Sequence, residues 1–247
     1  MARCILLTWL GFPLLAGLGF PVLAQAQPPD EDQRPLLYNT RNFDGWFKYT
    51  SNKAVDTEKL ILREPFEHYI IIKGTAPGYL ITEKAFSDYE LTLEYRWNIH
   101  QIEQDAKPIE VENLRSGVLF HIASEGDAIW HKCIKAQLRP ERGGDLQLLN
   151  GFKLDVHPDR HDPNSKTNFL RSHDGCERPM GEWNHLMITC HGKFVTLTMN
   201  DTKVMTARNA EVSKGRIALQ SEYGEIHFRN IRLKPLEGRP IDPDIEP

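Results

Sequence analysis

The chain has 247 residues, 40% of them hydrophobic and 26% charged, which excludes a collagen-like or wholly disordered polypeptide. Thirty Lys and Arg against 34 Asp and Glu give a net charge of -4, so composition makes no electrostatic case for nucleic acid or an anionic membrane. This length suits one β-rich domain with enough buried surface to fold without a disulfide scaffold.

Residues 1–26 carry a single charge, Arg3, ahead of an apolar run from Ile5 to Leu23 that Pro13, Pro21 and glycines interrupt. Ala24-Gln25-Ala26 then places small residues at the two positions a signal peptidase reads. The pattern predicts a cleaved signal peptide, export to the periplasm or extracellular space, and a mature chain from Gln27 without a membrane span. Three cysteines remain, Cys133, Cys176 and Cys190, with neither a CxxC nor a paired His/Cys spacing, so no metal or other cofactor is expected. Cys133 and Cys190 take opposite strand phases, which argues against a bridge between them and leaves Cys190 free or paired with Cys176.

Residues 27–36 are polar and Pro-rich and read as a linker. Residues 237–247, with three prolines and acidic residues, read as a loose tail. Between them the dominant pattern has period two. Early strands are expected at 59–63, 68–73 and 79–82. In Tyr89–Trp97 the odd positions are apolar or aromatic and the even ones Glu90, Thr92, Glu94 and Arg96, which defines one buried and one polar face. Val118, Phe120 and Ile122 give a second buried face with His121 opposite. Ile134, Ala136 and Leu138 give a third, with Cys133, Lys135 and Gln137 opposite. Val195, Leu197 and Met199 lead to a turn at Asn200-Asp201, and strands at 203–206, 214–220 and 225–233 complete the pattern. So many short strands predict an all-β protein, an antiparallel two-sheet jelly-roll sandwich. Two long polar segments, 100–113 and 157–182, read as loops; His157, His161 and His173 in the second are too loosely spaced to argue for a metal.

Several motifs in order add a resemblance: Leu37-Tyr-Asn-Thr-Arg-Asn-Phe-Asp-Gly-Trp46, Gly78-Tyr-Leu-Ile-Thr-Glu83, Ser116-Gly-Val-Leu-Phe-His121, Ile129-Trp-His-Lys-Cys-Ile-Lys-Ala-Gln-Leu138, Arg178-Pro-Met-Gly-Glu-Trp-Asn184 and Gly215-Arg-Ile-Ala-Leu-Gln-Ser-Glu-Tyr-Gly224. Over residues 37–236 the chain resembles the 3-keto-disaccharide hydrolase family. The resemblance implies a concanavalin A-like lectin/glucanase sandwich, a saccharide substrate, and a separate sugar 3-oxidoreductase acting upstream. It also marks a departure: where the family usually has a Glu, two residues before Gln137, this chain has Lys135.

The strand phases collect polar groups suited to sugar chemistry. Glu94, His121 and Lys135 are the catalytic candidates, with Glu94 or His121 as a base and Lys135 stabilising an enolate. Arg96, Gln137, Gln220 and Glu222 are candidates for binding sugar hydroxyls, and Trp130, Trp97 or Tyr223 for stacking on a sugar ring. A 3-keto glycoside has an acidic C2 proton, so one base suffices to eliminate the group at C1, and hydration completes a net hydrolysis. The alternating acids of an ordinary glucanase strand are absent, so a retaining glycosidase with two flanking carboxylates is rejected. The same residues also suit a lectin-like binding module that has lost the family's Glu, or a structural β-sandwich of the cell envelope.

Overall fold

The computed structural model describes residues 34–99 and 110–236. The expected signal peptide and tail, most of the expected linker, and residues 100–109 of the first polar loop lie outside the described residues. Among the described residues the strands in chain order are β1 (Trp46–Thr50), β2 (Ile61–Glu64), β3 (Tyr69–Ile72), β4 (Gly78–Thr82), β5 (Phe86–Ser87), β6 (Tyr89–Trp97), β7 (Ser116–Ile122), β8 (Cys133–Leu138), β9 (Leu146–Leu149), β10 (Asp155–Val156), β11 (Asn168–Phe169), β12 (Asn184–His191), β13 (Phe194–Met199), β14 (Thr202–Arg208), β15 (Lys214–Ser221) and β16 (Ile226–Pro235). A single helical turn, Thr57–Leu60, is capped by the Asp56 carboxylate on the Glu58 amide.

The strands form two antiparallel sheets. The first runs β1-β4-β15-β7-β8-β9-β11, with β5 pairing to one end of β15. The second runs β10-β14-β13-β12-β6-β16-β3-β2. Their inner faces share one apolar core. From β6 it takes Tyr89, Leu91, Leu93, Tyr95 and Trp97; from β7 and β8 it takes Val118, Phe120, Ile134, Ala136 and Leu138. Strands β12 and β13 alternate buried and half-buried residues throughout, as period two dictates for a sheet with one wet face. The chain already docks at Arg34, which pairs with Glu90, while the Pro35 carbonyl accepts from the Leu233 amide.

The centre of the first sheet departs from that alternation. Strands β4 and β7 are buried at every position. The cause is a second apolar cluster on the outer face, made of Tyr79, Ile81, Leu119, Ile122, Cys133 and Ala218, with Tyr49 and Leu149 packed against it. The outer face of this sheet is therefore largely covered and apolar at its centre, and each polar group there is costly to leave unpaired.

One bulge changes the expected phase of β7. Arg216 opposes Ile122 and Ala218 opposes Leu119, so Phe120 and His121 together face the single residue Ile217. His121 takes a left-handed φ of 55°. Phe120 consequently stays in the core while Ile122 joins the outer cluster. Gly215 lies against the bulge, where a β-carbon would come within 2.4 Å of the His121 carbonyl carbon.

Beyond the β8–β9 hairpin, Arg171 is buried and spans three segments. It donates to the Gly143 and Glu141 carbonyls and to Glu177 Oε2 at 2.6 Å. The other Glu177 oxygen accepts from the Tyr95 hydroxyl and the Gly143 amide. This fully bonded network anchors the 171–184 loop. Cys133, Cys176 and Cys190 are all free thiols. Burial pushes Cys133 and Cys190 up to about 12, and Cys133 lies on the outer face while Cys190 lies in the core.

Candidate functional site

Strand register assembles the polar groups on the outer face of the first sheet. One row of cross-strand neighbours runs Ile81, Ala218, Leu119, Lys135 and Gln147. Beside it, Tyr79 pairs with Gln220 and Gly117 pairs with Gln137. Lys135, Gln137, Gln147, Gln220 and Glu222 thus gather on a largely apolar floor. Each owes its outward direction to an inward neighbour in the core, such as Ala136, Leu146 or Leu219.

Lys135 is 1% exposed, and its Nζ donates to Glu222 Oε2 at 2.7 Å. Burial draws the ammonium below its usual range; Glu222 and the nearby Cys133 oppose that shift, and Arg115 adds to it. The side chain fits because residue 117 is glycine. A β-carbon there would lie 2.4 Å from Lys135 Cε and 2.8 Å from its Cγ. Glu222 is the accessible member of the pair, with a quarter of its side chain exposed. Gln137 donates to the Ser116 carbonyl at 3.1 Å. The side-chain carbonyl of Gln220 is buried and has no hydrogen-bond partner among the described residues. A buried acceptor left open next to a charged pair is a position for a ligand hydroxyl.

A hydrogen-bond chain fastens the 123–132 loop over this face. Tyr79 Oη lies 3.1 Å from His131 Nε2, and Ser124 Oγ lies 2.8 Å from His131 Nδ1. Arg216 donates to the Ser124 carbonyl, and Tyr79 stacks on Tyr49 at 5.0 Å. Burial pushes the Tyr79 hydroxyl up to about 12 and, with Arg216, lowers the His131 pKa. Trp130, on the same loop, is 39% exposed, and Tyr223, next to Glu222, is 44% exposed. Among the described residues no group of three or more His, Cys, Asp or Glu is placed to hold a metal.

Three expected site residues lie elsewhere. Glu94 and Arg96 do point away from the core, but β6 belongs to the second sheet, so they occupy the opposite outer face of the sandwich. There Glu94 accepts from Arg229 at 2.6 Å and from Asn230 at 3.0 Å. Arg96 stacks over Trp183 at 4.4 Å and Tyr69 at 5.2 Å, and Trp183 also faces Arg229 at 4.1 Å. His121 was expected opposite the core, and the bulge turns it inward instead. Its ring packs edge-on to Phe120 and near Phe152, with neither nitrogen hydrogen-bonded among the described residues. Burial lowers its pKa to about 4, so it stays neutral. Alternation tells which side of a strand a residue takes; it does not tell which sheet the strand joins.

Tyr79 and Gln147 were not among the expected site residues. Gln147 had a legible signal, since it alternates with Leu146 and Leu148 as Gln137 does with Ala136 and Leu138. Tyr79 carried none, because its role depends on the loop from Ala123 to Lys132. A cavity of about 1250 Å³ lies at another place, between Trp97, Glu110, Arg139, Arg178 and Met180. Of the expected residues it holds Trp97 alone, and the groups that anchor it, Arg171, Glu177 and Tyr95, already satisfy one another.

Two antiparallel sheets packed face to face around one apolar core make the molecule a concanavalin A-like jelly-roll sandwich. A family model described as a 3-keto-alpha-glucoside-1,2-lyase-like domain matches residues 34–234, and the chain belongs to that family. Among solved structures, a candidate glycosyl hydrolase from Parabacteroides distasonis ATCC 8503 is similar at 15% identity and a TM-score of 0.56, covering 81% of this chain and 93% of that one. A second from the same organism gives 16% identity and 0.50, over 77% and 99% of the two chains. A structure from work on endo-acting O-glycanases of the human gut microbiota gives 11% and 0.52, over 82% and 100%. At these identities the likeness is one of fold. No curated protein matches the chain.

Proposed function

We propose that the protein is an exported enzyme that cleaves 3-keto-α-glucosides by removing the C2 proton and expelling the group at C1. The observation that carries this reading is the Lys135–Glu222 pair, a partly exposed carboxylate held by a buried ammonium on a floor lined with glutamine amides. Membership of the 3-keto-alpha-glucoside-1,2-lyase-like family supplies the substrate class. Elimination beside a ketone needs one base, a group to stabilise charge on the carbonyl oxygen and a proton for the leaving oxygen. Glu222 is the base, in place of Glu94 and His121. Its proton returns to the departing C1 oxygen. Lys135 faces the developing charge at C3, and the amides of Gln137 and Gln220 orient the sugar hydroxyls. Trp130 and Tyr223 offer the ring faces that sugars stack against. Water adds to the resulting 1,2-unsaturated sugar, so the overall outcome is hydrolysis.

A 3-keto sugar arises by oxidation of a C3 hydroxyl, so a sugar 3-oxidoreductase must act before this protein. The Ala24-Gln25-Ala26 boundary motivates export, and N-terminal sequencing of the secreted protein is expected to begin at Gln27. The test of function is to incubate purified protein with methyl 3-keto-α-glucoside and with the unoxidised glucoside. Methanol release from the keto sugar alone supports the reading. Calorimetric binding without turnover would assign a lectin-like module, with Lys135 marking the lost Glu.

A further inference from the structure

We propose that Lys135 acts covalently, by forming an iminium with the C3 carbonyl of the substrate. The inference deepens the function proposed above and rests on its keto-sugar reading. Lys135 is the one lysine buried among the described residues, it lies on the outer face of the first sheet, and its neighbour is a carboxylate able to move protons. Gly117 gives the aliphatic stem a track on which no β-carbon fits, so Nζ is delivered to one place. The exposed side of the pair is the carboxylate, so a sugar that displaces Glu222 from Nζ arrives with its ring next to both groups. Burial weakens the ammonium, as an amine nucleophile requires.

The steps balance. Glu222 takes a proton from the Lys135 ammonium, and the neutral amine adds to C3. Glu222 returns that proton to the carbinolamine hydroxyl, which leaves as water and gives the iminium. The iminium withdraws electrons from the C2–H bond more strongly than the ketone does. Glu222 removes the C2 proton, the C2–H electrons form an enamine, and the enamine expels the C1 oxygen. That oxygen takes the proton from Glu222. Lys135 then holds a conjugated C1=C2–C3=N cation. Water hydrolyses it at C3, restores the ammonium and releases the 1,2-unsaturated 3-ketose. One water leaves and one enters, with no oxidant or reductant. A lysine where the family usually has Glu is then an exchange of catalytic strategy, with the carboxylate supplied by Glu222, the residue that follows β15.

The test is hydride trapping on the intact protein. Wild type is incubated with methyl 3-keto-α-glucoside and sodium cyanoborohydride, then digested and mapped by mass spectrometry. The expected result is an irreversible adduct on the peptide containing Lys135, with inactivation that needs both sugar and hydride. Lys135→Arg keeps the charge but cannot form an imine, and is expected to give no adduct and about 100-fold slower turnover or less. Wild-type turnover without an adduct, or Lys135→Arg within about threefold of wild type, would overturn the covalent step and leave the substrate reading standing. Wild type that neither cleaves nor binds the keto sugar would remove that reading, and the iminium with it.

Discussion

Lys135 and Glu222 are separated by 87 positions in sequence, yet their charged ends meet at 2.7 Å on the outer face of the first sheet. Breaking such a pair from either side leaves a different residue of chemistry. Removing Glu222 strands a buried cation and deletes the base proposed above; removing Lys135 leaves a carboxylate that still reaches solvent.

Glu222→Gln is therefore expected to lower kcat on a 3-keto-α-glucoside by about 100-fold or more, with a small effect on KM. Glu94→Gln is expected to stay within about threefold of wild type, because Glu94 sits on the other sheet under Arg229 and Asn230. Steady-state kinetics on both variants checks the assignment, and the reverse pattern would place the base at Glu94.

Gly117→Ala probes the fit of the lysine. The new methyl would lie 2.4 Å from Lys135 Cε and 2.9 Å from the Ala136 carbonyl, so backbone or lysine must move. Overpacking of this kind costs about 1–3 kcal/mol. A lower Tm together with loss of turnover is expected, measured by calorimetry and kinetics. An unchanged Tm would show that the stem of Lys135 does not occupy that track.

His121 gives a pH dependence with a fixed sign. Its pKa is about 4 when folded against 6.5 for the free side chain, because burial disfavours the cation. Between these values the unfolded chain binds a proton that the folded one refuses, so stability falls as pH drops from about 6.5 towards 4, by about 3 kcal/mol at most. His121→Asn removes the titration with a residue that tolerates the left-handed φ. Chemical denaturation across this range is expected to show a shallower slope for the variant than for wild type.

Glu225 acts in the lower acid range. Burial alone would raise its pKa, but hydrogen bonds from His227, Lys73 and Asn98 outweigh burial and hold it at about 2. The folded value is depressed, so its contribution is present above about 4.5 and is lost as pH falls towards 2. Glu225→Gln is expected to be less stable at neutral pH and to lose that acid limb, read by thermal melts from pH 2 to 7.

Much of this fold was legible because period two is a local signal. The faces of Tyr89–Trp97 and Cys133–Leu138 follow from alternation alone. The candidate site was legible in part, since Lys135, Gln137 and Gln220 point outward from strands of the first sheet and Glu222 follows β15 in the same phase. Two features were hidden. Glu94 and Arg96 share the outward phase, but sheet membership depends on pairing β6 with β12 and β16, which no local pattern encodes. His121 was misplaced because a bulge opposes two residues to Ile217, and one extra residue inverts the phase beyond it.

In the proposed reaction the keto sugar binds on the outer face of the first sheet with its C2 proton towards Glu222. A crystal structure of Glu222→Gln with methyl 3-keto-α-glucoside tests it most directly. The sugar is expected between Gln137 and Gln220, with C3 next to Lys135 Nζ and C2 facing residue 222. A sugar bound in the cavity between Trp97, Arg139 and Arg178, or beside Glu94 and Arg96 on the opposite face, would contradict it.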